Sequence, residues 1–178
     1  MAKRHIPPLV HGRVRLRQLA EVDLPMTLAW RNQDHIRKWF FDSDVITSDQ
    51  HRRWFERYRE KDDDFVFIIE ETETLRRPVG QLALYNIDWP ARRGEFGRLM
   101  IGDAEARGLR LATLATSCLA TAATDEWGLS EVHLEVLPGN QAALAVYRAC
   151  GFVSIPSAGP GLLMSRRKEP PPENLAVP

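Results

Sequence analysis

One stretch, Ile101 to Phe152, limits most strongly what this chain can fold into. A loop containing Arg107 and Gly108 leads into an apolar run with no breaker until Gly128, which predicts one long helix. A short apolar strand, a Pro-Gly-Asn turn and a second helix that stops at Gly151 follow. Free backbone N–H groups and the positive end of the helix dipole make the start of the long helix an anion site.

Upstream of this stretch the pattern predicts a strand and two helices. Residues 13–17 alternate between arginine and apolar side chains, which indicates a half-buried strand. Residues 22–30 predict a short helix. Thr47 with Gln50 three places on is a capping-box pattern, and it predicts the start of a helix that runs to about Tyr58.

A three-stranded meander is predicted between the early helices and the long helix. Its strands are residues 65–70, 79–85 and 95–101, separated by polar or glycine-containing turns. Gly97 inside the third strand indicates a bulge or a close approach of backbone. Residues 162–167 predict a last strand.

Length and composition favour one globular domain at residues 13–168, with a flexible arm at 1–12 and a disordered proline-rich tail at 169–178. Lysine plus arginine equals aspartate plus glutamate, 24 each, so net charge gives no argument for nucleic acid or a membrane surface. Cys118 and Cys150 are expected to be buried free thiols, and no zinc-ligand spacing is present. Without a signal sequence or a long apolar run, a cytoplasmic location is expected.

The order of elements, together with two motifs, resembles the GNAT family of N-acetyltransferases. The first motif is Arg107 to Thr113, set against the family's phosphate loop Q/R-x-x-G-x-G/A. Arg107 matches the first place and Ala112 the last, whereas Arg110 stands where the middle glycine is expected. The second motif is Asn140, Tyr147 and the Gly-Phe pair that follows. The resemblance covers residues 13–167.

This resemblance implies an α+β (mixed α/β) fold with a mostly antiparallel twisted sheet of six to seven strands. The sheet is splayed between its fourth and fifth strands and carries helices on both faces. It also implies acetyl-CoA as the acyl donor, bound in the splay, and no metal. The implied donor contacts are Met100, Ile101, Arg107, Gly108, Leu109, Arg110, Leu111, Ala112, Thr113 and Asn140.

The chemistry implied is attack of an amine on a thioester. Tyr147 matches the family's general acid, because a phenol can give a proton to the leaving thiolate. For the base, Glu135 alternates onto the strand face that can point into the splay. Glu95 is a second candidate, and a water relay without a dedicated carboxylate is a third.

The early helices are expected to build the acceptor site, from Trp30, Arg31, Arg37, His51 and Trp54 with Glu95. Their pattern resembles the branch that acetylates amino groups on nucleotide-linked sugars, since arginines bind diphosphates and tryptophans stack on flat rings. Acetylation of a peptide N-terminus, as in the ribosomal-protein type, is the alternative enzyme. A non-catalytic acyl-CoA-binding module is the alternative of another class, favoured by Arg110.

The expected partner is a small-molecule amine, with no nucleic acid and no membrane; a homodimer is allowed.

Overall fold

The computed structural model describes residues 3–168. A single sheet of eight strands lies at the centre of the fold. Within those residues the strands are Leu9–His11 (β1), Val14–Gln18 (β2), Phe65–Glu71 (β3), Arg77–Asp88 (β4), Arg93–Ile101 (β5), Glu131–Val136 (β6), Val153–Ile155 (β7) and Leu162–Arg167 (β8). They lie side by side in the order β1-β2-β3-β4-β5-β6-β8-β7. Neighbouring strands are antiparallel, except that β5 and β6 run parallel.

The helices of the described residues are Leu24–Arg31 (α1), Asp34–Arg37 (α2), Ser48–Tyr58 (α3), Leu111–Asp125 (α4) and Gln141–Ala149 (α5). The start of α3 confirms the capping box, because Thr47 Oγ1 accepts from the Gln50 N–H and Gln50 Oε1 accepts from the Thr47 N–H. None of the helices in residues 3–168 combines the length and apolar composition that crossing a membrane requires.

Strand β3 is buried on both faces and separates two cores. Phe65 and Phe67 belong to the core that includes α4, whereas Val66 and Ile68 belong to the core that includes α3. All four side chains are 0% exposed, and burying each contributes about 1.5–3 kcal/mol. Helices therefore cover both faces of the sheet, as expected.

The fold class is confirmed as mixed α/β with a mostly antiparallel sheet, but the sheet has eight strands rather than six to seven. The strands that the sequence did not predict are β7, of three residues, and β1, which falls in the segment expected to be a flexible arm. Gly12, with a φ of 55°, lets the chain reverse so that His11 pairs with Val14. The ammonium of Lys3 donates to the carbonyl oxygens of Tyr58 and Lys61, so the segment is fixed before the strand as well. The predicted tail, 169–178, lies outside the described residues.

The turn between β3 and β4 is organised by one buried carboxylate. Glu71 is 0% exposed, and its carboxylate accepts N–H bonds from Glu73, Thr74, Leu75 and Arg76. Burial by itself would raise the pKa of Glu71, but these backbone donors outweigh it and hold that pKa below its ordinary value. The ionised form of Glu71 therefore stabilises the folded chain.

Replacing Glu71 by glutamine is expected to lower the free energy of unfolding by about 1–3 kcal/mol at neutral pH, because the amide brings N–H donors to a place where donors already converge. The folded pKa lies below the unfolded one, so the stability from Glu71 is present above the unfolded pKa. It is lost as pH falls through the folded pKa. Urea unfolding of both proteins from neutral to acid pH measures the difference.

Glu73→Gln is the matched control, because Glu73 lies in the same turn with an exposed side chain. It should change the free energy of unfolding by less than about 0.5 kcal/mol. A gap between wild type and Glu71→Gln that widens toward acid pH would contradict the role given to this carboxylate.

Candidate functional site

A cleft opens where β5 and β6 part. Their parallel ladder covers only residues 93–95 opposite 131–133, so the β5 backbone beyond Glu95 has no strand partner on that side. In the same stretch an extra residue of β5 stands opposite Leu82 of β4, which is a β-bulge. Gly97 indicated this bulge, and the next residue, Arg98, adopts a left-handed φ of 52° within it. The bulge bends β5 and leaves main-chain N–H and C=O groups free along the cleft.

The loop before α4 has the geometry of an anion site. Gly108 and Arg110 both adopt left-handed backbone, with φ of 75° and 60°, and Arg110 is the N-cap residue of α4. The first N–H groups of α4 have no carbonyl partner within the helix, and the helix dipole adds positive potential there. The exposed Arg107 contacts His35 of α2, with 2.5 Å between Nη2 and Nε2. A phosphate placed here would meet backbone donors and the guanidinium of Arg107.

The conformation of Arg110 explains why a glycine suits this place. A residue with a Cβ pays about 1 kcal/mol for left-handed backbone, whereas glycine adopts it freely. The Arg110 side chain is exposed. Arg110, where the family has glycine, therefore strains this turn.

A cavity of about 360 Å³ fills the opening between β5 and β6. Of the residues expected to contact the donor or to take part in catalysis, the cavity wall contains Met100, Ile101, Ala112, Asn140, Tyr147, Glu95 and Glu135. The other expected donor contacts, Arg107 to Leu111 and Thr113, flank Ala112 in the loop and first turn of α4. In residues 3–168 no group of three or more His, Cys, Asp or Glu side chains is placed to hold a metal ion.

Tyr147 lies on α5, which begins at the far wall of the cavity. Asn140 caps this helix, because its Oδ1 accepts from the Ala143 N–H at 3.2 Å. Tyr147 is 7% exposed and packs edge-on against Phe96 and Phe152. Burial raises the pKa of Tyr147 well above its ordinary value, and the nearby Cys150 adds to the rise. The phenol is therefore held in its protonated form, which is the form that a general acid needs.

The two carboxylates of the cavity differ in how they are held. Glu95 accepts from the Tyr85 hydroxyl at 2.7 Å and from Asn86 Nδ2 at 2.9 Å, so both of its oxygens are fixed. Glu135 is exposed and leans onto the loop between β7 and β8, where it accepts from the Gly161 N–H at 3.2 Å. Glu95 lies at the last paired position of β5, in the floor of the cleft, and Glu135 lies farther out on β6.

A second pocket, of about 340 Å³, lies between α1, α3 and β5. It contains three of the residues expected at the acceptor site: Arg31, His51 and Trp54. The rings of His51 and Trp54 stack with centroids 5.2 Å apart, and burial lowers the pKa of His51, which favours the neutral imidazole. Phe40, Arg98 and Met100 line both this pocket and the cavity of the cleft, so the two spaces adjoin.

Two residues expected at the acceptor site lie outside both spaces. Trp30 is buried against the main chain of Gly102, where an added Cβ would overlap its indole ring. Arg37 pairs with Asp34 at 2.9 Å and donates to the Ser43 carbonyl at 2.8 Å. Trp30 is therefore a core residue, packed against the chain just after β5. Arg37 forms an ion pair within α2.

Two side chains of the site, those of Arg98 and Tyr85, were not predicted from the sequence. Arg98 forms a bidentate pair with Asp64, at 2.7 and 3.1 Å, and its guanidinium stacks 4.3 Å from the Tyr85 ring centroid. The Tyr85 ring in turn lies over Gly97, where an added Cβ would come within 2.9 Å of its hydroxyl oxygen. Gly97 was the available signal, because a glycine in a strand marks a place where another group approaches closely.

Comparison with known proteins agrees with this geometry. The family described as "Acetyltransferase (GNAT) domain" matches residues 13–153. The "Putative ribosomal N-acetyltransferase YdaF" of Bacillus subtilis is 25% identical over 161 residues, which cover 87% of this chain and 85% of that protein. The "Uncharacterized protein MJ1062" of Methanocaldococcus jannaschii is 25% identical over 148 residues, and these span 79% of this chain but only 28% of that protein.

A solved structure with the same fold is the spermidine N-acetyltransferase of Vibrio cholerae in complex with CoA and spermine. Its TM-score is 0.75 at 19% identity, over 86% of this chain and 94% of that chain.

Arg110→Gly is expected to raise the free energy of unfolding by about 0.5–1 kcal/mol, because glycine removes the cost of left-handed backbone at the N-cap of α4. Arg107→Gly is the matched control in the same loop. Arg107 has a φ of −68°, which any residue adopts, so glycine there should lower the free energy of unfolding. Denaturant unfolding of the three proteins measures both effects. A less stable Arg110→Gly protein would mean that the arginine side chain contributes more than its backbone costs.

Proposed function

The chain belongs to the GNAT family of acetyltransferases and uses acetyl-CoA as its acyl donor, and we propose that it transfers the acetyl group directly to a primary amine. Donor and acceptor are bound together, and no acetyl-enzyme forms. The observation that carries this proposal is the cavity between β5 and β6. It combines free β5 backbone, the start of α4 and the buried phenol of Tyr147 in one continuous space.

The donor is proposed to lie along the open edge of β5. Its pyrophosphate would occupy the loop before α4, where N–H groups, the helix dipole and Arg107 favour negative charge. Its extended amide-bearing arm would pair with the free N–H and C=O groups of β5, as an added strand does. This placement brings the thioester toward the bulge at Arg98.

Transfer then requires two proton movements. The amine nitrogen attacks the thioester carbonyl carbon, and the carbon–sulfur bond breaks as the carbonyl re-forms. Tyr147 donates its proton to the departing sulfur, and the phenolate that this leaves takes a proton back from water. The proton lost by the amine goes to a carboxylate of the cavity or to water.

For that carboxylate we propose Glu95 ahead of Glu135. Glu95 lies in the floor of the cleft, and Tyr85 and Asn86 fix its orientation. Glu135 is exposed and engaged with Gly161. Both remain within the cavity wall, so a water molecule can connect either one to the amine.

The acceptor is proposed to enter through the pocket of Arg31, His51 and Trp54. A nucleotide-linked amino sugar fits its chemistry, since Arg31 is a cation and Trp54 gives a flat ring face. The similarity to YdaF, whose name describes a ribosomal N-acetyltransferase, favours a peptide N-terminus as the second candidate. Turnover of an amino sugar nucleotide but not of peptides separates the two.

The Tyr147→Phe variant tests the chemical step. Its kcat is expected to fall about 10²- to 10⁴-fold, the usual contribution of a positioned acid, with the affinity for acetyl-CoA unchanged. Thiol release from acetyl-CoA, measured with an amine that the wild type accepts, gives kcat, and calorimetry gives the affinity.

Tyr58→Phe is the control for loss of a buried tyrosine hydroxyl. Tyr58 is 1% exposed on α3 and its hydroxyl accepts from the Val66 N–H at 3.1 Å, so its removal should affect stability and leave kcat unchanged. Unchanged turnover in Tyr147→Phe would remove the acid from this scheme. Tight acetyl-CoA binding with no turnover on any amine would instead favour a non-catalytic acyl-CoA-binding module.

A further inference from the structure

The second pocket contains a buried cation that the protein itself does not fully satisfy. Arg31 is 9% exposed, and its Nη2 donates to the carbonyl oxygen of Asp42. Its Nη1 is buried and has no hydrogen-bond partner. Among residues 3–168, no carboxylate lies within ion-pair distance of Arg31. A buried guanidinium normally has such a partner, so the site lacks an anionic oxygen.

The other cation of this pocket and its imidazole are already engaged. Arg98 is neutralised by its bidentate pair with Asp64, whose side chain is 6% exposed. Burial lowers the pKa of His51, and its Nε2 lies 3.1 Å from the Thr27 hydroxyl. The exposed carboxylate of Asp42 also lines the pocket and accepts from the Asp44 N–H at 3.1 Å. Burial lowers the pKa of Arg31, and the negative charge of Asp42 opposes that shift without forming an ion pair. Arg31 is therefore the cation of this pocket that has no ion pair, and its Nη1 is the donor that has no acceptor.

The pocket also has the shape for a two-ended ligand. It shares Phe40, Arg98 and Met100 with the cavity of the cleft, so a molecule can lie in both. The guanidinium of Arg31 stacks 4.1 Å from the Phe40 ring centroid, on the wall between the two spaces. An amine directed into the cleft therefore leaves the other end of the same molecule near Arg31.

We propose that this pocket selects acceptors that carry an anionic oxygen, a carboxylate or a phosphate, and that Arg31 is the residue that binds it. An oxyanion bound to this guanidinium would supply the acceptor that Nη1 lacks. The stacked rings of Trp54 and His51 form a flat side wall for the part of the acceptor between its two ends. The inference rests on the proposed acetyl transfer, and it disfavours acceptors that carry only positive charge.

Binding of matched ligand pairs to the CoA-saturated protein tests this inference by calorimetry. Glucosamine 6-phosphate against glucosamine differs in a phosphate, and tyrosine against tyramine differs in a carboxylate. The wild type is expected to bind the anionic member of at least one pair 10-fold or more tightly. The pair that shows the preference identifies phosphate or carboxylate as the group recognised.

Three variants assign the preference to one side chain. Arg31→Met keeps an unbranched stem on Phe40 without charge and should abolish the preference. Arg31→Lys keeps the charge without the planar fork and should restore part of it. Arg53→Met, which removes an exposed arginine from α3, should retain the wild-type preference in full. If Arg31→Met fails to fold, a weakened preference in Arg31→Lys carries the same conclusion.

Two results would overturn the inference: equal binding of both members of each pair by the wild type, or a preference that Arg31→Met and Arg31→Lys leave unchanged. Its failure is distinct from failure of the proposed function. Acetylation of tyrosine that is unaffected by Arg31→Met would remove the anion site and leave acetyl transfer intact. An anion preference that depends on Arg31, with no amine acetylated, would support the site and remove the transfer.

Discussion

The parting of β5 from β6 after three paired residues is the constraint on which the rest of the site depends. A sheet normally continues its ladder, because each unpaired N–H or C=O group that is cut off from water costs about 1–3 kcal/mol. Here the ladder stops in the middle of the sheet, with strands continuing on both sides of the opening. The free edge is therefore internal, and an extended ligand with amide groups can satisfy it in the way that a strand would.

The bulge that bends β5 is held in place by side chains from the neighbouring elements. Arg98 adopts a left-handed backbone conformation, which is unfavourable for residues other than glycine. Its ion pair with Asp64 stabilises that conformation. Its guanidinium then lies on Tyr85, and Tyr85 holds Glu95. One strained residue thus joins the bend of the strand, the boundary between two cavities and the orientation of a carboxylate.

Much of this architecture follows from local patterns in the sequence. The capping box at Thr47 and the apolar run of α4 determine backbone geometry within a few residues, so these elements were predictable. Strand β1 was not, because a three-residue strand depends on the turn at Gly12 and on its partner rather than on its own pattern. Gly97 indicated the bulge, but the sequence alone could not show that Arg98 would reach Asp64, since that pairing joins residues 34 positions apart.

The aromatic and arginine residues of α1 and α2 show the same limit more sharply. The sequence placed Trp30, Arg31 and Arg37 together at the acceptor site, because neighbouring residues of these types looked alike. In the folded chain Trp30 packs against Gly102, Arg37 pairs with Asp34 of its own short helix, and of the three only Arg31 lines a pocket. The difference comes from helical geometry, since adjacent residues point about 100° apart and so meet different surroundings.

The path of the chain after α2 explains why the proposed donor and acceptor sites adjoin each other. The chain after α2 passes over both spaces: Phe40 lines each of them, and the Trp39 ring lies against Gly139, in the turn before α5. Trp39 and the bulge of β5 therefore bound the cleft from opposite sides. A thioester in the proposed position would lie between them, and the pocket of Arg31 adjoins that position at Phe40. The proposed direct transfer to an amine depends on this adjacency, because an amine bound in the pocket is held close to the thioester.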